Sequence, residues 1–203
     1  MSDPTEAARG EVTEAVASPM LASTAAGTGF RRPPPLPVEV RIPPWLAFAP
    51  AGFWARAAYV ACGVGLGLLW AIPLFCWLRG GLSEFYGENR TWGLTEWVML
   101  FIRVVCVPVV ETLLGYGMLV ALSACRIRAS LQLWVWAAVW AWTHYWYPGN
   151  ALVVFGPFVI FGSCMIAYRR RAAAEAIRMT AILHIAYNGA GELLALLLRW
   201  ALG

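Results

Sequence analysis

Four polar side chains stand in stretches that are otherwise apolar and aromatic. Glu111 lies in "VPVVETLLGYG", His144 closes "VWAWTH", and His184 and Asn188 sit in "AILHIAYNG". The chain has two histidines in all, and Glu111 is the only acid between Glu96 and Glu175. A carboxylate, two imidazoles and an amide suit two tasks. They can hold a divalent metal, or they can activate a water while donors stabilise the oxyanion it creates. Polar groups in hydrocarbon cost several kcal/mol each unless something satisfies them. An ionisable side chain inside a membrane segment is therefore a functional candidate from the outset.

Each of the four has a plainer reading when taken alone. His144 adjoins Tyr145, Trp146 and Tyr147 and would suit an interfacial aromatic belt. Asn188 would suit hydrogen-bonded glue between helices. Glu111 could sit protonated in the bundle; Arg103, eight residues away, is about 12 Å along a helix axis, too far for direct pairing. Taken together, these readings require three helices to carry unrelated polar exceptions.

The elements that must position the four follow from composition. Of 203 residues, 61% are hydrophobic and 13% charged, with mean hydropathy +0.65. Soluble domains are nearer half apolar and a quarter charged. The expected fold is an all-α polytopic transmembrane bundle of about five spans. A span needs about 20 apolar residues. The candidates are 55–78, 97–123, 129–146, 151–168 and 179–201, the last beginning helically near 172. The third and fourth are short, which implies tilt or tight packing, and Pro157 within the fourth is tolerable in a bundle.

Residues 1–52 read as a disordered, Pro/Ala-rich cytoplasmic tail without periodicity. Asp3 and Glu6 stand where a signal peptide would need positive charge. "RRPPPLPVEVRIPP" is an extended spacer, and Trp45, Phe48, Phe53 and Trp54 suit the interface. Residues 53–94 form the first transmembrane helix and its loop, and 95–203 the domain that carries the four polar groups.

All fifteen basic residues are arginine, which points to a GC-rich bacterial genome and so to a bacterial inner membrane. Five spans place Arg31, Arg32, Arg41, Arg56, Arg126, Arg128, Arg169, Arg170, Arg171 and Arg178 on one side, and Arg79, Arg90 and Arg199 on the other. The positive-inside rule then puts the amino terminus in the cytoplasm. The net charge of +4 belongs to this topology, and no nucleic-acid partner is implied. The five cysteines form no CxxC pair and read as small hydrophobes.

Depth gives a check on convergence. Glu111 lies fifteen residues from Arg126, His144 sixteen from Arg128 and His184 thirteen from Arg171. All three are then about 20–24 Å from the arginine-rich face. His184 and Asn188 share a helix face, as do Trp140 and His144.

At this level of detail the residues resemble a family. Glu111, the stretch "WAWTH" and the stretch "HIAYN" are similar to the EExxxR, FxxxH and HxxxN motifs of the CPBP (CAAX protease and bacteriocin-processing, or Abi) intramembrane proteases, which include type II CAAX prenyl endopeptidases. The resemblance covers roughly residues 95–195. It implies an intramembrane metalloendopeptidase acting on a membrane protein or peptide near its carboxyl end. Glu111 takes the place of the first motif glutamate, His144 of the second-motif histidine, and His184 and Asn188 of the third motif. These four are the implied catalytic residues and the implied ligands of a divalent metal such as Zn²⁺. Trp140 replaces the usual phenylalanine as a supporting aromatic. Thr112 and Tyr116 stand where the second glutamate and the arginine belong, and a Thr112–Tyr116 hydrogen-bonded pair is the expected neutral replacement.

Two other functions compete with hydrolysis. An inactive membrane scaffold or immunity protein would use the same set as bundle glue. A proton or ion pathway would need a continuous polar route, and the flanking stretches are almost wholly apolar and aromatic. Glu192, one turn beyond Asn188, is either a support for the site or part of a wet crevice. "RRR" at 169–171 reads as a topology anchor, and Gly115 and Gly117 as points of close helix approach.

Overall fold

The computed structural model describes residues 49–79, 93–145 and 149–202, and every regular element among them is helical. They are α1 (Phe53–Arg79), α2 (Leu94–Ala124), α3 (Ala129–Thr143), α4 (Asn150–Arg169) and α5 (Ala173–Leu202). Within α2, residues Ile102–Cys106 form a π-helical turn. Tail residues 1–48 lie outside the described residues, as do Trp45 and Phe48 of the expected interfacial cluster.

α1, α2, α4 and α5 are long and apolar enough to cross a membrane, so the chain is an integral membrane protein. Large apolar side chains such as Trp54, Leu69, Leu114 and Trp200 point outward, as helices in lipid allow. α3, over the third predicted span, differs from expectation. Its 15 residues reach only about 22 Å, short of a bilayer core of about 30 Å. The reason is local: His144 and Tyr145 turn out of the helix, with the His144 N–H donating to Ala141 O at 3.1 Å in a tighter final turn.

α4 is the axial helix. Of its most apolar window 61% is buried, against 11–17% for the other three spans. Phe158, Phe161, Cys164, Met165 and Tyr168 of α4 meet Leu133, Trp136 and Ala137 of α3, and Ala176, Met179 and Leu183 of α5. The sharpest contact is Trp136, 2% exposed, wedged between two glycines. A Cβ on Gly115 of α2 would stand 2.7 Å from Trp136 Nε1, and one on Gly162 of α4 2.9 Å from Trp136 Cε3. Trp136 Nε1 also donates to Gly115 O at 3.0 Å. Gly115 thus does what its sequence reading implies, while Gly117 meets nothing.

A polar knot ties the arginine-rich end. Arg169 is buried, donates to Leu119 O at 3.2 Å and to Ser123 Oγ at 2.8 Å, and places its guanidinium 5.8 Å from the Tyr116 ring. Gln132 of α3 donates to Ile127 O at 2.6 Å. Arg126, at φ 59°, ends α2 in a left-handed turn, with Ile127 N–H reaching back to Leu122 O at 3.1 Å. At the same end Tyr168 and Arg171 donate to Pro50 O, strapping the chain that enters α1 onto α4 and the turn that follows it. Arg169 and Arg171 of "RRR" therefore anchor the fold. The five cysteines are free thiols.

Candidate active site

Three of the four sequence candidates meet. Glu111 projects from α2 just beyond the π-helical turn, His144 caps α3, and His184 stands mid-way along α5. Glu111 Oε1 is 3.6 Å from His144 Nε2, and Glu111 Oε2 is 3.5 Å from His184 Nε2. The carboxylate therefore lies between two imidazoles carried by separate helices. The depth argument from the arginines accounts for this: equal rises along three helices bring the groups level.

The shortness of α3 fixes the His144 ring. The last carbonyls of a helix lack intrahelical partners. Trp140 O, one of these, lies 2.8 Å from His144 Nδ1. A carbonyl only accepts, so Nδ1 carries a proton, and Nε2 is the nitrogen turned toward Glu111. Thr143 Oγ1 donates to the same carbonyl at 2.7 Å, and Asn150 Nδ2 donates to His144 O at 3.0 Å. The Trp140 indole itself stacks on Phe158 with centroids 6.0 Å apart, and its Nε1 has no partner among the described residues.

His184 is 5% exposed. Its ring lies 4.4 Å from Phe161 and 5.8 Å from Phe158, while Phe158 also sits 5.2 Å from the His144 ring. α4 thus supplies an aromatic wall that keeps the histidines dry on one side. Sequence reasoning missed this wall, although the spacing of Phe158 and Phe161 places them on one face of a predicted span.

Asn188 shares the face of His184, one turn on, but its Nδ2 donates to Arg103 O at 3.1 Å. Arg103 belongs to the π-helical turn, where the backbone ladder slips by one residue and carbonyls become available. The amide thus pins α5 to the irregular turn that precedes Glu111. Asn188→Ala is expected to destabilise the protein by about 0.6–1.7 kcal/mol, the range for hydrogen bonds between membrane helices, as read by unfolding in mixed micelles. Arg103 does not pair with Glu111 but lies 3.8 Å from Glu192 Oε1. Arg103, Asn188, Glu192, Tyr187 and Phe75 line a cleft of about 420 Å³ that reaches His144.

The supporting pair requires correction. Thr112 Oγ1 is buried without a hydrogen-bond partner among the described residues, so no Thr112–Tyr116 bond forms. Tyr116 instead faces the guanidinium of Arg169, and that cation draws the ring toward α4.

The donor set partly suits a metal ion. Two imidazole nitrogens and a carboxylate oxygen are a common zinc set. In a tetrahedral site with ligand bonds of about 2.1 Å, donor atoms lie about 3.4 Å apart, close to both Glu111–histidine separations. Moreover, Nε2 of His144 and a carboxylate oxygen are both acceptors once Nδ1 is protonated, so they need a shared proton or cation between them. Against this, no three His, Cys, Asp or Glu side chains among the described residues stand close enough to grip an ion without adjustment. The residue types and two of the spacings fit; the complete cage is not preformed. No family profile, curated protein or solved structure matches the chain.

Proposed function

We propose that the protein is an intramembrane endopeptidase that hydrolyses a peptide bond of a membrane protein or membrane-associated peptide. The reading rests on one observation: a single carboxylate placed between two imidazoles from separate helices, inside an apolar bundle. The ordered resemblance to CPBP motifs supports it, as does the cleft that opens beside His144. The arginine count, ten against three, supports a cytoplasmic amino terminus, and the exclusive use of arginine among the basic residues supports a bacterial inner membrane.

Glu111 acts as the general base. It takes a proton from a water entering through the cleft, and the oxygen attacks the scissile carbonyl. His184, held between Phe161 and Phe158, donates to the oxyanion, an interaction worth about 2.7–4 kcal/mol in such sites. His144, oriented by Trp140 O, holds the water through Nε2. The proton gained by Glu111 then passes to the leaving nitrogen. Were a divalent cation present, Glu111, His144 and His184 would hold it, and it would supply Lewis acidity to the water.

The test is cleavage of a peptide library by purified protein in liposomes, wild type against Glu111→Ala. Loss of cleavage with retained folding is expected; equal rates reject the reading. A second reading, an inactive scaffold or immunity protein, draws on the commitment of the Asn188 amide to Arg103 O. It expects Glu111→Gln to leave function intact and no metal to co-purify.

A further inference from the structure

A second groove lies between α1 and α5, away from the histidines. Its α1 wall is Phe53, Arg56, Ala57, Val60, Ala61 and Val64, a repeat of three and four that defines one helix face. Arg178, Ile182 and Ala186, each four apart, line the α5 wall. Small side chains at Ala57, Ala61 and Ala186 leave the helices unfilled there, and the resulting space is about 610 Å³. The groove is apolar along its length and cationic only at one end.

Both arginines stand at that end. Arg56 is neutralised by Glu175, its ion-pair partner. Arg178 is exposed, and no described residue bonds to it. Arg170 and Arg171 stand in the turn before α5, outside the groove lining, which itself carries the paired Arg56 and the exposed Arg178. An exposed guanidinium with no partner among the described residues, above an apolar trough, matches one kind of molecule, an anion with a hydrocarbon chain attached at the level of the membrane surface. Basic pockets between membrane helices take such headgroups, and arginine is suited to phosphate through its planar fork of donors.

We propose that this groove binds an anionic phospholipid, with Arg178 on the phosphate and one acyl chain lying along Val60, Val64, Ile182 and Ala186. The site is independent of any hydrolytic activity. The lipid fills a seam between α1 and α5 that protein side chains leave open.

The experiment is lipid titration of the full chain in detergent, following retention by native mass spectrometry and the unfolding temperature, with phosphatidylglycerol and phosphatidylcholine as the two probes. Wild type is expected to bind phosphatidylglycerol more tightly. Arg178→Gln is expected to weaken that binding about fivefold, the effect of one surface cation, without changing binding of phosphatidylcholine. Arg170→Gln, outside the groove, should have less effect, and inorganic phosphate should not displace the lipid. Ala186→Leu, which fills the trough, should weaken both lipids. Equal affinity of wild type for the two lipids overturns the proposal. So does an Arg170→Gln loss as large as that of Arg178→Gln, since the attraction would then be diffuse.

Discussion

Glu111→Gln, His144→Ala and His184→Ala are each expected to lower kcat/KM by about 10²–10⁴-fold, the range for a positioned acid or base. The triple variant is expected to be little worse than the most damaging single change, because groups that act as a unit lose most of their effect when any one is removed. The geometry underlies both parts. Glu111 touches each imidazole with a different oxygen, at 3.6 and 3.5 Å, so no member works without the carboxylate. Glutamine keeps the shape but turns one acceptor into a donor and removes the charge. Single-turnover cleavage by each variant, with helicity checked by circular dichroism, reads the effect. Rates within tenfold of wild type for Glu111→Gln, or losses that simply multiply, would defeat the shared-centre interpretation.

Trp136→Ala carries the largest expected cost in stability, about 3–5 kcal/mol for a fully buried large aromatic. The side chain fills the space above Gly115 and Gly162 and spends its N–H on Gly115 O. Truncation leaves a cavity where three helices meet and removes the indole hydrogen bond that Gly115 O accepts besides its helical one. The complementary changes should hurt by overpacking, about 1–3 kcal/mol each for Gly115→Ala and Gly162→Ala. Equilibrium unfolding in mixed micelles measures all three. A loss under about 1 kcal/mol for Trp136→Ala would mean that the helices close over the gap, and that the wedge does not set their spacing.

Much of the fold was legible because lipid imposes a simple rule on sequence. Runs of apolar residues became helices within a few residues of the expected ends, and α5 begins at Ala173, beside the predicted start near 172. The convergence of Glu111, His144 and His184 was legible through helical rise alone. Asn188 shows the limit. Its spacing from His184 told which face it shares, but its amide is spent on a carbonyl exposed by the π-helical turn at Ile102–Cys106. Nothing in "IRVVC" itself announces that turn; the signal stands just past it in Pro108, which has no N–H to give to a carbonyl one turn back. The Thr112–Tyr116 pair failed for a related reason. Four-residue spacing permits a contact on one helix, yet Arg169, fifty-three positions beyond Tyr116, competes for the ring.

α3 has a further consequence because it stops short. His144 sits where it does only because the segment Ala129–Thr143 has a set number of residues between the polar knot and the histidine. One inserted residue would turn everything after it by about 100° and carry it about 1.5 Å deeper. The segment works as a ruler: its lipid-facing letters can be exchanged, while its length is fixed by the chemistry at its tip.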